Sequence, residues 1–589
     1  MEAGARSGAH GSPRYSRADV ERRRRLLRRA VPAALLIAGA ALAAGLLLGA
    51  GPGRAERRTA ERYASAWAHG DYPAMYRLLD DASRRRVTLT AFEDAERAAT
   101  ATATVRAATV GAARDRSGGA VPVAVTIRTR AFGTLRASWD VPLRGSGAGA
   151  RVAWSQPALF PGLRPGEALT RTTALPPRAA LLARDGTVLA SGPDRSSPVA
   201  GVASEIAGSL ATPPAAEQPL LRALGYPDGA RVGTSGLERV FETRLAGTPG
   251  GTLLAGGRVL ARTRPRPAPA VRTTIDLGLE RAAISALAGR YGGIAAIDPR
   301  SGQVLALAGV AFSALQPPGS TFKIVTLTGV LESHVAKPGD VFPVTDHALV
   351  GGVPLQNANG ELCGGTLVQA FANSCNSVFA PLGAKLGGAR LVDVAQRYGF
   401  NEPPTIPGEA PSTIPSAATI GDDLAVGSSA IGQGLVQATA LQMTAIAATI
   451  AMRGRRPEPT LALGERPRFV RVTRPSVARE VGRMMRAVVQ YGTGTSAAIA
   501  GAQVAGKTGT AELRDTVPPP DQQGDQTDQT DQQTRDRGPG TTAWFVAYAP
   551  APRPRIAVGA LFPDQGAGGD VAAPAARVVL AAALQRPGG

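Results

Sequence analysis

The chain has 589 residues, too many for one ordinary domain, and its composition, 44% hydrophobic with little aromatic content, is that of a folded protein rather than a disordered one. The net charge of +21 invites a nucleic-acid reading, but the arginines are scattered and no basic stretch is interleaved with stacking aromatics, which argues against nucleic acid as a partner. His10, His69, His334 and His347 are dispersed and only two cysteines occur, so no zinc-site spacing is present and no metal is expected.

The densest basic run, Arg22-Arg23-Arg24-Arg25 with Arg28 and Arg29, closes a polar tail of residues 1–30. It directly precedes residues 31–50, an uncharged stretch of about the 20 residues a helix needs to cross a bilayer. Arginines on that side hold the tail in the cytoplasm and place everything after Gly51 outside, at the cell membrane but extracytoplasmic. The stretch reads as an uncleaved anchor; a signal peptide cut near Gly49-Ala50-Gly51 is the competing reading, and both export the protein. Export permits a disulfide between Cys363 and Cys375, which would contribute roughly 3 kcal/mol; two buried free thiols are the alternative.

Residues 54–160 read as a small α+β unit. A helical pattern over residues 55–79, with Tyr63 and Trp67 on its apolar side, is interrupted at His69-Gly70-Asp71. Alternating strands follow at residues 121–127, 132–143 and 151–154, so that helices come first and a curved antiparallel sheet after. Pro157, Pro161 and Pro165 then mark a linker. Residues 166–269 hold a hairpin turning at Arg184-Asp185-Gly186-Thr187 and otherwise few long apolar periods, the pattern of an extended interaction domain. Residues 271–587 begin with a helix over 279–291 and the apolar strand Gly293–Ile297, and carry enough apolar elements for one large α/β domain. Within it, residues 514–540 are low-complexity; the acidic repeat at 525–531 lacks the central glycine and terminal glutamate of a calcium loop and reads as a solvated insertion between strands.

Lysine is scarce, with Lys323, Lys337, Lys385 and Lys507 the only four. Ser320-Thr321-Phe322-Lys323 opens an apolar helical run, and a spacing of three puts hydroxyl and amine on one face within hydrogen-bonding reach. A serine needs a base to become a nucleophile, and a lysine serves when burial and a neighbouring cation lower its pKa. Taken alone, a capping serine and a surface lysine explain the pattern as well. Ser374-Cys375-Asn376 follows a helical stretch and offers a second hydroxyl for passing a proton to the leaving group, with an amide to hold a peptide backbone; alone it is a polar turn. Lys507-Thr508-Gly509-Thr510 fits a strand paired with residues 543–548. There Gly509 leaves room for a substrate, Thr508 can bind a terminal carboxylate, Lys507 supplies positive field, and the N–H of Thr510 with that of Ser320 can form an oxyanion hole. Alone, this is a sheet with an exposed lysine.

The three motifs in this order, on helix, loop and strand, carry more weight than each does separately. The chain thereby resembles the penicillin-binding protein and serine β-lactamase superfamily over most of its length. Arg184-Asp185-Gly186, Gly236-Leu237-Glu238, Gly247-Thr248-Pro249-Gly250 and Ile431-Gly432-Gln433-Gly434 are similar to stretches of its class B members, and the α+β unit is similar to the NTF2-like domain of methicillin-resistance-type members. The resemblance implies a multidomain fold: an N-terminal transmembrane helix, a small α+β NTF2-like domain, an extended pedestal or dimerisation domain, and a large α/β transpeptidase domain whose antiparallel sheet is packed with helices. It implies a peptidoglycan D,D-transpeptidase that forms an acyl-enzyme on Ser320 and is acylated by β-lactams. The implied catalytic residues are Ser320, Lys323, Ser374, Asn376 and Lys507; Thr508, Gly509 and Thr510 bind substrate, and no cofactor is required. The implied partners are peptidoglycan stem peptides, β-lactams, the membrane through one helix, and a lipid-linked glycan polymerase. A D,D-carboxypeptidase or β-lactamase, with water in place of the acceptor amine, is one alternative, although no glutamate stands in an obvious deacylation motif. A catalytically weak scaffold or β-lactam sensor in a cell-wall synthesis complex is another, which the intact motifs disfavour.

Overall fold

The structure, a computed structural model, describes residues 53–512 and 540–586. The stretch read as an anchor and, apart from Gly540, the low-complexity insertion lie outside the described residues. Among the described residues no helix is long and apolar enough to cross a membrane. The chain forms two compact units: one takes residues up to 174 with 219–227 and 250–264, the other takes 175–218, 228–249 and everything from 265 onward. Residues 166–269, read from the sequence as one segment, are thus shared between the two.

In the first unit, helices α1 (Arg54–Ala68) and α2 (Leu89–Thr102) precede a four-stranded antiparallel sheet of β1 (Val105–Ala113), β2 (Ala120–Thr129), β3 (Thr134–Arg144) and β4 (Arg151–Val152), in that order. Val121, Val123, Val125 and Ile127 of β2 are buried as their alternation requires. They face a core in which the Trp139 ring lies 5.4 Å from Tyr63 and 5.3 Å from Trp67. Strand β1 escapes sequence reading because none of its residues is fully buried and it is rich in alanine, so no alternation marks it. A second sheet, of β5 (Leu169–Ala174), β6 (Gly250–Ala255) and β7 (Arg258–Thr263), contributes Leu253 and Ala255 to the same core.

The principal helices of the second unit are α3 (Leu277–Leu287), α4 (Lys323–Glu332), α5 (Leu367–Ala372), α6 (Asn376–Leu386), α7 (Ala440–Ala451), α8 (Pro475–Gln490) and α9 (Ala573–Leu584). They surround an antiparallel sheet of β8 (Gly293–Ile297), β9 (Val304–Gly309), β10 (Ala505–Glu512), β11 (Thr541–Ala549) and β12 (Ile556–Phe562), with spatial order β9-β8-β12-β11-β10. Both faces of the sheet are covered. Ile294 and Ala296 join a core with Ala283 of α3 and Leu580 of α9, whereas Ala295 and Ile297 join another with Ala445 of α7 and Val481 of α8. Burial on both faces is why Gly293–Ile297 reads as an unbroken apolar run.

The turn at Asp185-Gly186 joins Leu181–Leu182 to Val188–Ala190 as the sequence predicts, with Asp185 Oδ1 accepting from Thr187 N at 2.9 Å. Nearby, buried Glu238 accepts from Arg178 Nε and from Arg195 Nε, each at 2.7 Å, and Arg178 also reaches Glu242 at 2.8 Å. Removing one member of such a cluster leaves buried charge uncompensated. Glu238→Ala should therefore lower stability by about 3–5 kcal/mol in denaturant titration, an unchanged midpoint being incompatible with this cluster.

Candidate active site

A tight 3₁₀ turn, Gly319–Phe322, carries Ser320 and runs straight into α4, whose first residue is Lys323. The turn is held from two sides. Gly319 N donates to Gly432 O at 2.9 Å, and a Cβ on Gly432 would lie 2.1 Å from Gly319 O, so only glycine fits there. On the other side β10 presses against it: a Cβ on Gly509 would lie 2.8 Å from Pro318 O, and Trp544 Nε1 of β11 donates to Pro317 O at 2.8 Å.

Ser374 follows α5 and has φ +62°, in the left-handed region. It closes the helix as a Schellman motif: Cys375 N donates to Ala370 O at 2.9 Å and Ser374 N to Phe371 O at 3.2 Å. Glycine normally fills this position, and a serine there costs about 1 kcal/mol or more in backbone strain. Cys363 and Cys375 form a disulfide with Cα atoms 5.4 Å apart. The bridge ties the middle residue of Ser374-Cys375-Asn376 to the strand Cys363–Thr366, which leads into α5.

These elements converge on two wholly buried amines. Lys323 Nζ donates to Ser374 O at 2.6 Å and Asn376 Oδ1 at 2.7 Å, and lies 3.4 Å from Ser374 Oγ. Lys507 Nζ donates to Ser374 Oγ at 2.8 Å and Thr508 O at 3.0 Å. Asn376 Nδ2 donates to Gln356 O at 3.0 Å, which fixes the amide with its oxygen toward Lys323. Burial holds the Lys323 ammonium well below the usual lysine range, with the Lys507 charge adding to it, and burial pushes Lys507 down to about 7. A neutral Lys323 has two N–H groups, which the two short contacts to carbonyl-type oxygens use, leaving a lone pair to accept a proton from a hydroxyl.

Lys323, Ser374, Asn376 and Lys507 thus form one hydrogen-bonded cluster, with Ser320 on the turn that opens α4 and Thr508, Gly509 and Thr510 on the adjoining strand. The reach of Ser320 for Lys323 is not used in this structure: among the described residues no hydrogen bond joins Ser320 Oγ to Lys323 Nζ, and the amine is engaged by Ser374 and Asn376. One residue near the site was not found from the sequence: Thr493, whose Oγ1 lies 2.5 Å from Thr508 Oγ1. The run Tyr491-Gly492-Thr493-Gly494 has the composition of a loop, and nothing in it marks a contact with Thr508.

Comparison with known proteins places this geometry. Residues 292–581 match the penicillin binding protein transpeptidase domain, residues 184–264 the penicillin-binding protein dimerisation domain, and residues 55–167 the NTF2-like N-terminal transpeptidase domain. The peptidoglycan D,D-transpeptidase PbpA of Mycolicibacterium smegmatis is 30% identical over 411 residues, which span 59% of this chain and 77% of that protein. The structure of the D,D-transpeptidase domain of a peptidoglycan glycosyltransferase from Eggerthella lenta is 28% identical with a TM-score of 0.55, covering 70% of this chain and 99% of that one. The ceftriaxone acyl-enzyme complex of penicillin-binding protein A from M. tuberculosis is 25% identical with a TM-score of 0.54, covering 69% of this chain and 98% of that one. The chain belongs to the class B penicillin-binding proteins, with NTF2-like, dimerisation and transpeptidase domains.

The disulfide's position gives a test of how tightly Ser374 is held. Cys363→Ser should lower stability by about 3 kcal/mol and slow acylation by a penicillin, and reductant should do the same to the wild type. Acylation that is indifferent to both changes would show that α5 and its Schellman closure hold Ser374 unaided.

Proposed function

We propose that this protein is a peptidoglycan D,D-transpeptidase that works through an acyl-enzyme on Ser320. The observation carrying this reading is the bridging of two buried lysines by one serine, Ser374, beside the turn that bears Ser320. Family membership and the acyl-enzyme complex of a relative support it. In this reading neutral Lys323 takes the Ser320 proton as the hydroxyl attacks the carbonyl of a D-Ala-D-Ala stem. The N–H groups of Ser320 and Thr510 receive the developing oxyanion. Ser374, hydrogen-bonded to Lys507, delivers a proton to the departing D-Ala, and Asn376 holds the stem backbone. Thr508, with Lys507 behind it, receives the terminal carboxylate, and Gly509 keeps the strand accessible to the stem. An amine from a second stem then takes the acyl group and forms the cross-link.

We assign residues 1–30 to a cytoplasmic tail, 31–50 to a single membrane anchor, 54–160 to the NTF2-like domain, 166–269 to the pedestal and 271–587 to the transpeptidase domain, with the insertion at 514–540. The catalytic part then lies outside the cell membrane, where a lipid-linked glycan polymerase is a suitable partner because it supplies the strands to be joined.

Incubation with a fluorescent penicillin, followed by peptide mass spectrometry, should place a stable adduct on Ser320 that is absent from Ser320→Ala. A folded wild type that takes no label would sink the acyl-serine mechanism, and rapid turnover of the drug would point to a β-lactamase. The lysines add a pH signature. Without ligand, Lys507 loses its proton as pH rises through about 7, so affinity for a carboxylate-bearing penicillin should fall above that value. Protonation of Lys323 should slow acylation as pH falls. Second-order acylation constants measured across this range should therefore pass through a maximum, and a flat profile would contradict these roles.

A further inference from the structure

Thr493 lies in the loop between α8 and the short turn Thr495–Ala497. Its amide donates to Ala372 O at 3.1 Å, at the last residue of α5 and two residues before Ser374. The loop is pressed against that helix end: a Cβ on Gly492 would lie 2.2 Å from the same oxygen. The Thr493 hydroxyl lies 3.4 Å from Ala372 O and 2.5 Å from the hydroxyl of buried Thr508.

Each hydroxyl has one proton, so the pair has two arrangements. In one, Thr508 donates to Thr493, and Thr493 donates to Ala372 O. In the other, Thr493 donates to Thr508, and the Thr508 proton is free to point elsewhere. A carboxylate accepts hydrogen bonds and cannot donate them, so only the second arrangement lets Thr508 bind one. Ala372 O already accepts the Thr493 amide and is not left unpaired when the hydroxyl turns away.

We propose that Thr493 is a positioning residue that donates to Thr508 and thereby directs the Thr508 proton onto the carboxylate of the incoming ligand. The inference rests on the reading above that Thr508 receives that carboxylate. Thr493 also connects Thr508 to the end of α5, so the carboxylate site and the segment leading to Ser374 share one anchor.

The test compares benzylpenicillin with its methyl ester on the wild type, Thr493→Val, Thr493→Ser and Thr508→Val, with melting temperatures measured alongside. The wild type should prefer the free acid. Thr493→Val keeps the side-chain shape but removes the donor, and should weaken binding of the acid by about tenfold or more. The first-order acylation step should change less than binding, and reaction with the ester should change little. Thr493→Ser should restore the preference, and Thr493→Val should add nothing in a Thr508→Val background. An acid-over-ester preference that survives Thr493→Val, or additive losses in the double variant, would overturn the proposal. So would equal loss of acid and ester reactivity with a lowered melting temperature, which marks a purely structural role. A wild type that takes no label at Ser320 would instead overturn the transpeptidase reading, and with it this one.

Discussion

Two lysine side chains, Lys323 and Lys507, are wholly buried against the same serine, and among the described residues neither is paired with a carboxylate. An isolated ammonium in such surroundings is costly, and the ordinary remedy is a counter-ion or loss of the proton. Here burial lowers both pKa values, and a cage of neutral oxygens from Ser374, Asn376 and Thr508 receives the amine hydrogens, with the faces of Phe379 and Phe371 each 5.6 Å away. A carboxylate inside the cage would raise both pKa values and lock both lysines as cations. Its absence leaves Lys323 available as a base and leaves Lys507 near its titration point, ready to gain charge when an anionic ligand arrives.

The cage constrains the surrounding backbone. Its oxygens come from the Ser374 turn, from the first residue of α6 and from a strand distant in sequence, and all must come within hydrogen-bonding reach of the amines. Gly432 and Gly509 allow close packing on the turn that bears Ser320, and Ser374 accepts a left-handed conformation that sends its carbonyl to Lys323 and its hydroxyl to Lys507. The strain at Ser374 is held by the Schellman hydrogen bonds and by the disulfide one residue later. Strain of this kind persists only where the surroundings over-determine it.

Much of this was legible in the sequence, for identifiable reasons. Ser320, Lys323, Ser374, Asn376 and Lys507 stand in short motifs on elements whose periodicity is strong, such as the helix Leu367–Ala372 and the strands paired at Lys507 and Val546. The hydrogen bonds of Lys323 to Ser374 and Asn376 are not legible, because they join residues 51 and 53 positions apart through tertiary contacts that local spacing does not specify. Thr493 was invisible because its role depends on two tertiary contacts, to Ala372 and Thr508, that leave no local pattern. The division of residues 166–269 was equally hidden. Strands Leu169–Ala174 and Gly250–Ala255 pair across about eighty residues of chain, and no local signal specifies that.

The two edges of the sheet show how fold and chemistry are reconciled. An unpaired strand edge is a liability that proteins normally cover. At β9 the cover is the start of α3: Asp276 N donates to Leu305 O at 2.8 Å, and buried Glu280 accepts from Leu307 N at 2.7 Å. That closure accepts an expensive group, since burial pushes the Glu280 carboxyl up to about 7. At β10, the opposite edge, no strand among the described residues lies beyond Lys507-Thr508-Gly509-Thr510. An extended peptide is the ligand best matched to such an edge, because main-chain hydrogen bonds supply affinity while a few side chains supply selectivity. The same sheet therefore closes one edge with a buried carboxyl and, among the described residues, leaves the edge that carries the lysine without a further strand.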